Sequence, residues 1–106
     1  MLVLFDQGTP VPIRLHLGHH SVFTAAQRGW ATLKNGDLLL AAEQAGFKVF
    51  LTTDKNIRYQ QNLANRKIAI LVIGEQQWPA LQPHVKLVVD AVDRATPGMF
   101  LEVEIP

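Results

Sequence analysis

The sequence predicts an α/β fold built on a mostly parallel sheet. Strand-like and helix-forming segments alternate along the whole chain, in the order strand, helix, strand, helix, strand, helix, strand, helix, strand. The segment KIAILVI, Lys67 to Ile73, is apolar without alternation, as a strand covered on both faces would be. The segment from Phe100 to Ile105 instead alternates apolar and acidic residues, as a one-sided edge strand would.

Leu2 to Phe5 read as a short buried strand. Thr9 and Pro10 look like a helix start, with Thr9 as N-cap and Pro10 at the first helical position, where a missing N–H costs nothing. Ile13, Leu15 and Leu17 are placed toward the core, and Gly18 ends the segment. Ser21 to Thr24 form a second candidate strand, followed by a stretch to Trp30 that reads as either short helix or loop. The clearest helix opens at Asn35-Gly36-Asp37: Leu38 to Ala45 are strong helix formers, Asp37 suits the positive helix end, and Gly46 closes it. Lys48 to Thr52 give the third strand, Ile57 to Leu63 a short helix, and Lys67 to Ile73 the fourth strand. Pro79 begins a helix running to about Arg94, with Leu81, Val85, Val88, Val89 and Val92 on its inner face.

At 106 residues the chain is expected to form one domain, 1–106. An apolar fraction of 48% against 18% charged argues for a packed core and against disorder. A net charge of +1 gives no global attraction to nucleic acid, so any such binding needs a local basic patch. With no cysteine there are no disulfides or thiolate metal sites. The first apolar stretch meets Asp6 too early for a signal peptide or a membrane span, so the expectation is a cytoplasmic protein.

Ligands of open α/β sheets bind outside the carboxyl ends of the strands. Asp6 follows the first strand and Asp54 the third, while Asp37 opens the helix that leads into that third strand. Asn56, two residues past Asp54, points the same way in extended backbone. Converging carboxylates repel unless a cation neutralises them. Mg²⁺ or Mn²⁺ suits oxygen ligands and could orient water for attack on a phosphodiester. Each aspartate also has a local explanation. Asp6 can start a turn, Asp37 can favour a helix N-terminus, and Asp54 can make an Asx-turn.

Taken in order, LFDQGTP, NGDLLLAAEQAG and VFLTTDKN resemble the small bacterial PIN-like domains. In that family the first strand ends in Asp, often followed by Glu-Asn-Leu-Pro. A later Asp or Glu begins a helix of the form D-x-x-I/L-x-x-x-A, and a further strand ends in Thr-x-Asp-x-Asp/Asn. The similarity runs from about Leu2 to Ile73. It implies a three-layer α/β/α sandwich and a Mg²⁺- or Mn²⁺-dependent endoribonuclease of the toxin–antitoxin kind, with RNA as substrate and a cognate antitoxin as partner. It also implies that Asp6, Asp37 and Asp54 are the catalytic and metal-binding acids. Asn56 stands where many members carry another acid, and Gln7 replaces the frequent Glu. Both changes remove charge, so the alternative is a catalytically weak PIN-like module that binds RNA or protein.

Lys55, Arg58 and Tyr59 follow Asp54, and with Arg14 and Lys34 they are the candidates for holding RNA. The cations would contact phosphate and the ring would stack on a base. A solvated basic face is the equal alternative. His16, His19 and His20 invite a zinc reading, but Gly18 interrupts the helix that would align them. A phosphoacceptor receiver shares the α/β order, yet it would carry two adjacent acids where this chain has Asp6 and Gln7. The apolar late helix leaves a homodimer open.

Overall fold

A computed structural model describes residues 1–57 and 66–106. The chain forms a five-stranded, all-parallel sheet of β1 (Leu2–Phe5), β2 (Ser21–Thr24), β3 (Val49–Thr52), β4 (Ala69–Ile73) and β5 (Phe100–Val103). The helices are α1 (Asn35–Gln44), α2 (Trp78–Leu81) and α3 (Val85–Asp93), with 3₁₀ turns at Val11–His16 and Gln82–His84. The expected helix from Ile57 to Leu63 lies outside the described residues beyond Ile57, which is buried.

Period-two alternation along the central strands divides the core between the two faces of the sheet. Val3, Phe5, Val49, Leu51, Ala69, Leu71 and Ile73 pack on one face against Ile13, Leu17, Leu81, Val88 and Val92. Leu4, Phe50, Ile70 and Val72 pack on the other against Leu38, Leu39, Ala42 and Ile57. β1, β3 and β4 have almost wholly buried side chains, as sandwiched parallel strands require. β5 pairs only with β4 and exposes Leu101 and Glu102, which matches the edge strand read from its alternation.

Three local expectations change. Thr9 is not an N-cap: its buried hydroxyl donates to Leu51 O at 2.9 Å, and the segment after it is 3₁₀ rather than α. Leu15 is 82% exposed, because Ile13 and Leu17, four apart, take the inward face. The late helix is interrupted at Gln82–His84, where Pro83 cannot donate to the preceding turn. Gly46, by contrast, does end α1, with a φ of 88° suited to glycine.

The strand order is β2-β1-β3-β4-β5. The chain moves outward from β1 to β2, crosses back over β1 to β3, and then continues the other way. The connection leaving β1 packs Ile13 and Leu17 on one face, while Ile57 after β3 packs on the opposite face. Connections diverging to opposite faces make the carboxyl ends of β1 and β3 the switch point, the place where doubly wound sheets bind ligands.

Candidate functional site

Phe5 and Leu51 are register partners, so Asp6 and Thr52 emerge side by side at that switch point. Asp6 N–H and the Thr9 hydroxyl both donate to Leu51 O at 2.9 Å, which folds the loop 6–9 back onto β3. Gly8 allows the close approach, since a Cβ there would stand 2.8 Å from Thr53 Oγ1. Thr52 lies between the two acids. Its fully buried hydroxyl donates to Asp6 Oδ2 at 2.8 Å and accepts Asp54 N–H at 3.0 Å.

The remaining carboxylate contacts fix both rotamers. Gln7 N–H donates to Asp6 Oδ1 at 2.7 Å, and Asn56 N–H donates to Asp54 Oδ1 at 2.9 Å, closing an Asx-turn. Gln7 Nε2 reaches Ala31 O at 3.0 Å, tying the first loop to the segment before α1. Asn35 Nδ2, from the first turn of α1, donates to Asp54 Oδ2 at 3.2 Å. A carboxylate can only accept, so the amide must present its nitrogen here. The local turns expected of Asp6 and Asp54 are therefore real, and long-range bonds from Thr52 and Asn35 lie on top of them.

Asp37 is exposed in the first turn of α1 and does not join the other two acids in a three-acid cluster. Among the described residues no group of three or more His, Cys, Asp and Glu could hold a metal. Helix phase explains the difference. Leu38, Leu39 and Ala42 form the buried stripe, and the spacings i+3, i+4 and i+7 trace that stripe back to position 35. Read from position 35, the pattern D-x-x-I/L-x-x-x-A meets Leu38 and Ala42, both buried; from position 37 it meets exposed Leu40 and Gln44. Asn35 is thus the site residue that sequence reasoning missed, and the apolar spacing of α1 was the signal for it.

The carboxyl edge is grooved on both sides of this pair. A groove of about 530 Å³ is lined by Thr53, Asp54, Lys55, Asn56, Glu75 and Gln76, and one of about 610 Å³ by Lys55, Asn56 and Glu104 among others. Asp6, Gln7, Thr9 and Thr24 line a third, of about 350 Å³. Lys55 therefore stands beside the acids. Lys34 is exposed at the N-cap of α1, next to Asn35. Arg14 is turned away, its guanidinium donating to Val22 O at 3.5 Å. Arg58 and Tyr59 lie outside the described residues.

The three early histidines do not converge. The His16 ring sits 5.9 Å from the Trp78 ring, while His20 pairs with Asp93 at 2.7 Å and approaches the Met1 amino group.

Each oxygen of Asp6 and Asp54 accepts one of the hydrogen bonds above and keeps a further lone pair. Asp6 and Asp54 are thus two pre-oriented carboxylates with acceptor capacity to spare. They do not make the three-carboxylate set expected with Asp37.

No protein-family model, curated protein or solved structure matches the chain. No described helix is long and apolar enough to cross a membrane.

Proposed function

We propose that this chain is a PIN-like, single-metal endoribonuclease that uses Mg²⁺ or Mn²⁺ at Asp6 and Asp54. The observation that carries the reading is the buried Thr52 hydroxyl at the β1/β3 switch point, which joins the Asp6 carboxylate to the backbone N–H of Asp54. When bound, the cation would supply an oriented water and stabilise charge developing on the phosphodiester. Asp6 and Asp54 serve as its ligands, and Thr52 keeps them in register. Lys55 and Lys34 offer charge for the phosphates on either side, and Asn56 lines the same grooves. The reading carries with it a cytoplasmic setting and, from the resemblance, a cognate antitoxin as partner.

A second reading is favoured by one specific contact. Asn35 gives Asp54 a neutral donor where a further acid would strengthen metal binding. Together with Gln7 and Asn56 it makes the site poor in charge, which supports a catalytically weak module that binds RNA or protein.

One experiment separates the two. The nuclease reading expects cleavage of single-stranded RNA with Mn²⁺, none with EDTA, and loss of cleavage in Asp6→Asn and Asp54→Asn. Mn²⁺ should also raise the melting temperature of the wild type but not of Asp54→Asn, because a ligand of the folded state stabilises by mass action. Cleavage that survives both substitutions would sink the metal reading. Mn²⁺ stabilisation without cleavage would favour the binding module.

A further inference from the structure

On its α3 face, the sheet is incompletely covered at β5. α3 lies against β4 and β5, and strand alternation turns Leu101 and Val103 toward the same face. Val103 is buried in the core and Met99 packs against that core, yet Leu101 stays 41% exposed. On α3, Leu87, Ala91 and Arg94 follow the i, i+4, i+7 spacing of one stripe, beside the buried Val88 and Val92. Leu87 in that stripe is 42% exposed. Together the two leucines border a groove of about 370 Å³, walled in part by Ala91 and Val103.

The rim of this groove is charged. Asp90 and Arg94 stand on it one helical turn apart, and Glu104 joins them from the end of β5. Residues four apart on a helix are placed to pair with each other. Among the described residues, however, neither Asp90 nor Arg94 makes a side-chain hydrogen bond or an ion pair. One apolar groove therefore carries unpaired charge of both signs.

We propose that this groove docks a second copy of the chain across a two-fold axis, with the two α3 helices antiparallel. In such an interface a patch meets itself, so it must carry its own complement. This one does. Antiparallel pairing sets Arg94 of each copy against Asp90 of the other, while Leu87 and Leu101 of each are covered by its mate. An RNA strand would meet repulsion from Asp90 and Glu104, and a wholly acidic protein surface likewise. α3 has nine residues and β5 four, so each spans only about 13 Å. An interface of that extent falls at the small end of specific ones, so dissociation is expected at about 10–100 µM. Neither Asp6 nor Asp54 takes part, so the dimer stands apart from the metal reading.

Sedimentation equilibrium of the full chain between about 1 and 500 µM reads the association directly. Wild type should pass from monomer to dimer across that range. Leu87→Asp and Leu101→Lys change exposed side chains, so each should keep the melting temperature within about a degree or two and weaken association at least about tenfold. Arg94→Asp and Asp90→Arg should each weaken it too, because each sets like charges face to face. The double variant Asp90→Arg, Arg94→Asp exchanges both signs and should recover association to within about threefold of wild type. Leu15→Lys, on the 3₁₀ turn, should leave the dimer unchanged. A wild type that stays monomeric throughout overturns the proposal, as does a dimer that survives both leucine substitutions. Should the leucine variants unfold, the charge exchange decides: recovery in the double variant supports two-fold pairing at this groove, and no recovery overturns it.

Discussion

Thr52 and Thr9 are the buried polar side chains among the described residues, and both hydroxyls serve the same join between β1 and β3. Thr9 secures the loop after β1 to Leu51 O, while Thr52 joins Asp6 to the backbone of Asp54. Valine at 52 would match the shape of threonine but leave Asp6 Oδ2 and Asp54 N–H without that partner. Losing a partner at a buried or charged group costs about 1–3 kcal/mol. Thr52→Val is therefore expected to unfold at lower urea, with a melting temperature several degrees lower in a domain of this size. On the proposed metal reading its Mn²⁺-induced stabilisation should shrink too, because the Asp6 carboxylate loses its link to the turn that carries Asp54. Thr52→Ser should restore both. Unchanged stability and an unchanged Mn²⁺ response in Thr52→Val would mean that the hydroxyl is not what registers the pair.

At the scale of elements, a charged clamp joins α1 to β4. Glu43, near the C-terminal end of α1, accepts Arg66 Nη1 at 2.8 Å, Lys67 N–H at 2.6 Å and Ile68 N–H at 3.3 Å. Burial alone would raise its pKa, but the hydrogen bonds from Lys67, Arg66 and Ile68 and the Arg66 charge outweigh burial and hold the carboxyl below its ordinary 4.5. A folded-state pKa below the unfolded one stabilises the fold above the unfolded value and stops doing so as pH falls through the folded value. Glu43→Gln should cost about 1.5–3 kcal/mol at pH 7, the scale of hydrogen bonds to a charged group. In urea titrations the gap between wild type and variant should narrow as pH drops below 4.5 and close beneath the folded pKa. A gap that stays constant through acid pH would contradict this assignment. Clamps of this kind are hard to read in a sequence, because Glu43 and Arg66 are 23 residues apart and meet only through the fold. Elements with their own stop signals are easier. α1 is legible because strong helix formers run up to Gly46, whereas the 3₁₀ turn after Pro10 is not, because Thr9 spends its hydroxyl on β3.

For the molecule as a whole, alternation of strands and helices in the chain predicts a parallel α/β sheet, but strand neighbours depend on where each crossover lands. The β2-β1-β3-β4-β5 order, and with it the switch point between β1 and β3, becomes visible only in three dimensions. Asp6 and Asp54 are legible because each stands within two residues of the end of an apolar strand. Asp37 is marked by its charge, whereas Asn35 is marked only by helix phase. Two residues turn a helix by roughly 200°, enough to move a side chain from the inner face to solvent.

The same edge carries Glu75 after β4 and Glu104 after β5, beside Asp6 and Asp54 after β1 and β3. Lys55 and Lys34 are the described cations placed next to this carboxylate row. A polyanion approaching it meets repulsion, and the chain's net +1 is too small to offset that from a distance. On the proposed reading, a divalent cation at Asp6 and Asp54 would reverse the local sign beside a bound phosphate. RNA association is therefore expected to depend on metal even where no cleavage follows. With a short single-stranded RNA and fluorescence anisotropy at fixed ionic strength, EDTA should weaken binding about fivefold relative to Mn²⁺, the equivalent of roughly 1 kcal/mol for one charge contact. Lys55→Ala should weaken the Mn²⁺-dependent binding further and flatten its salt dependence, as expected when one phosphate contact is lost. RNA binding of equal strength in EDTA and Mn²⁺ would instead mean that RNA is held away from the carboxyl edge, and the two acids would then have to be explained without it.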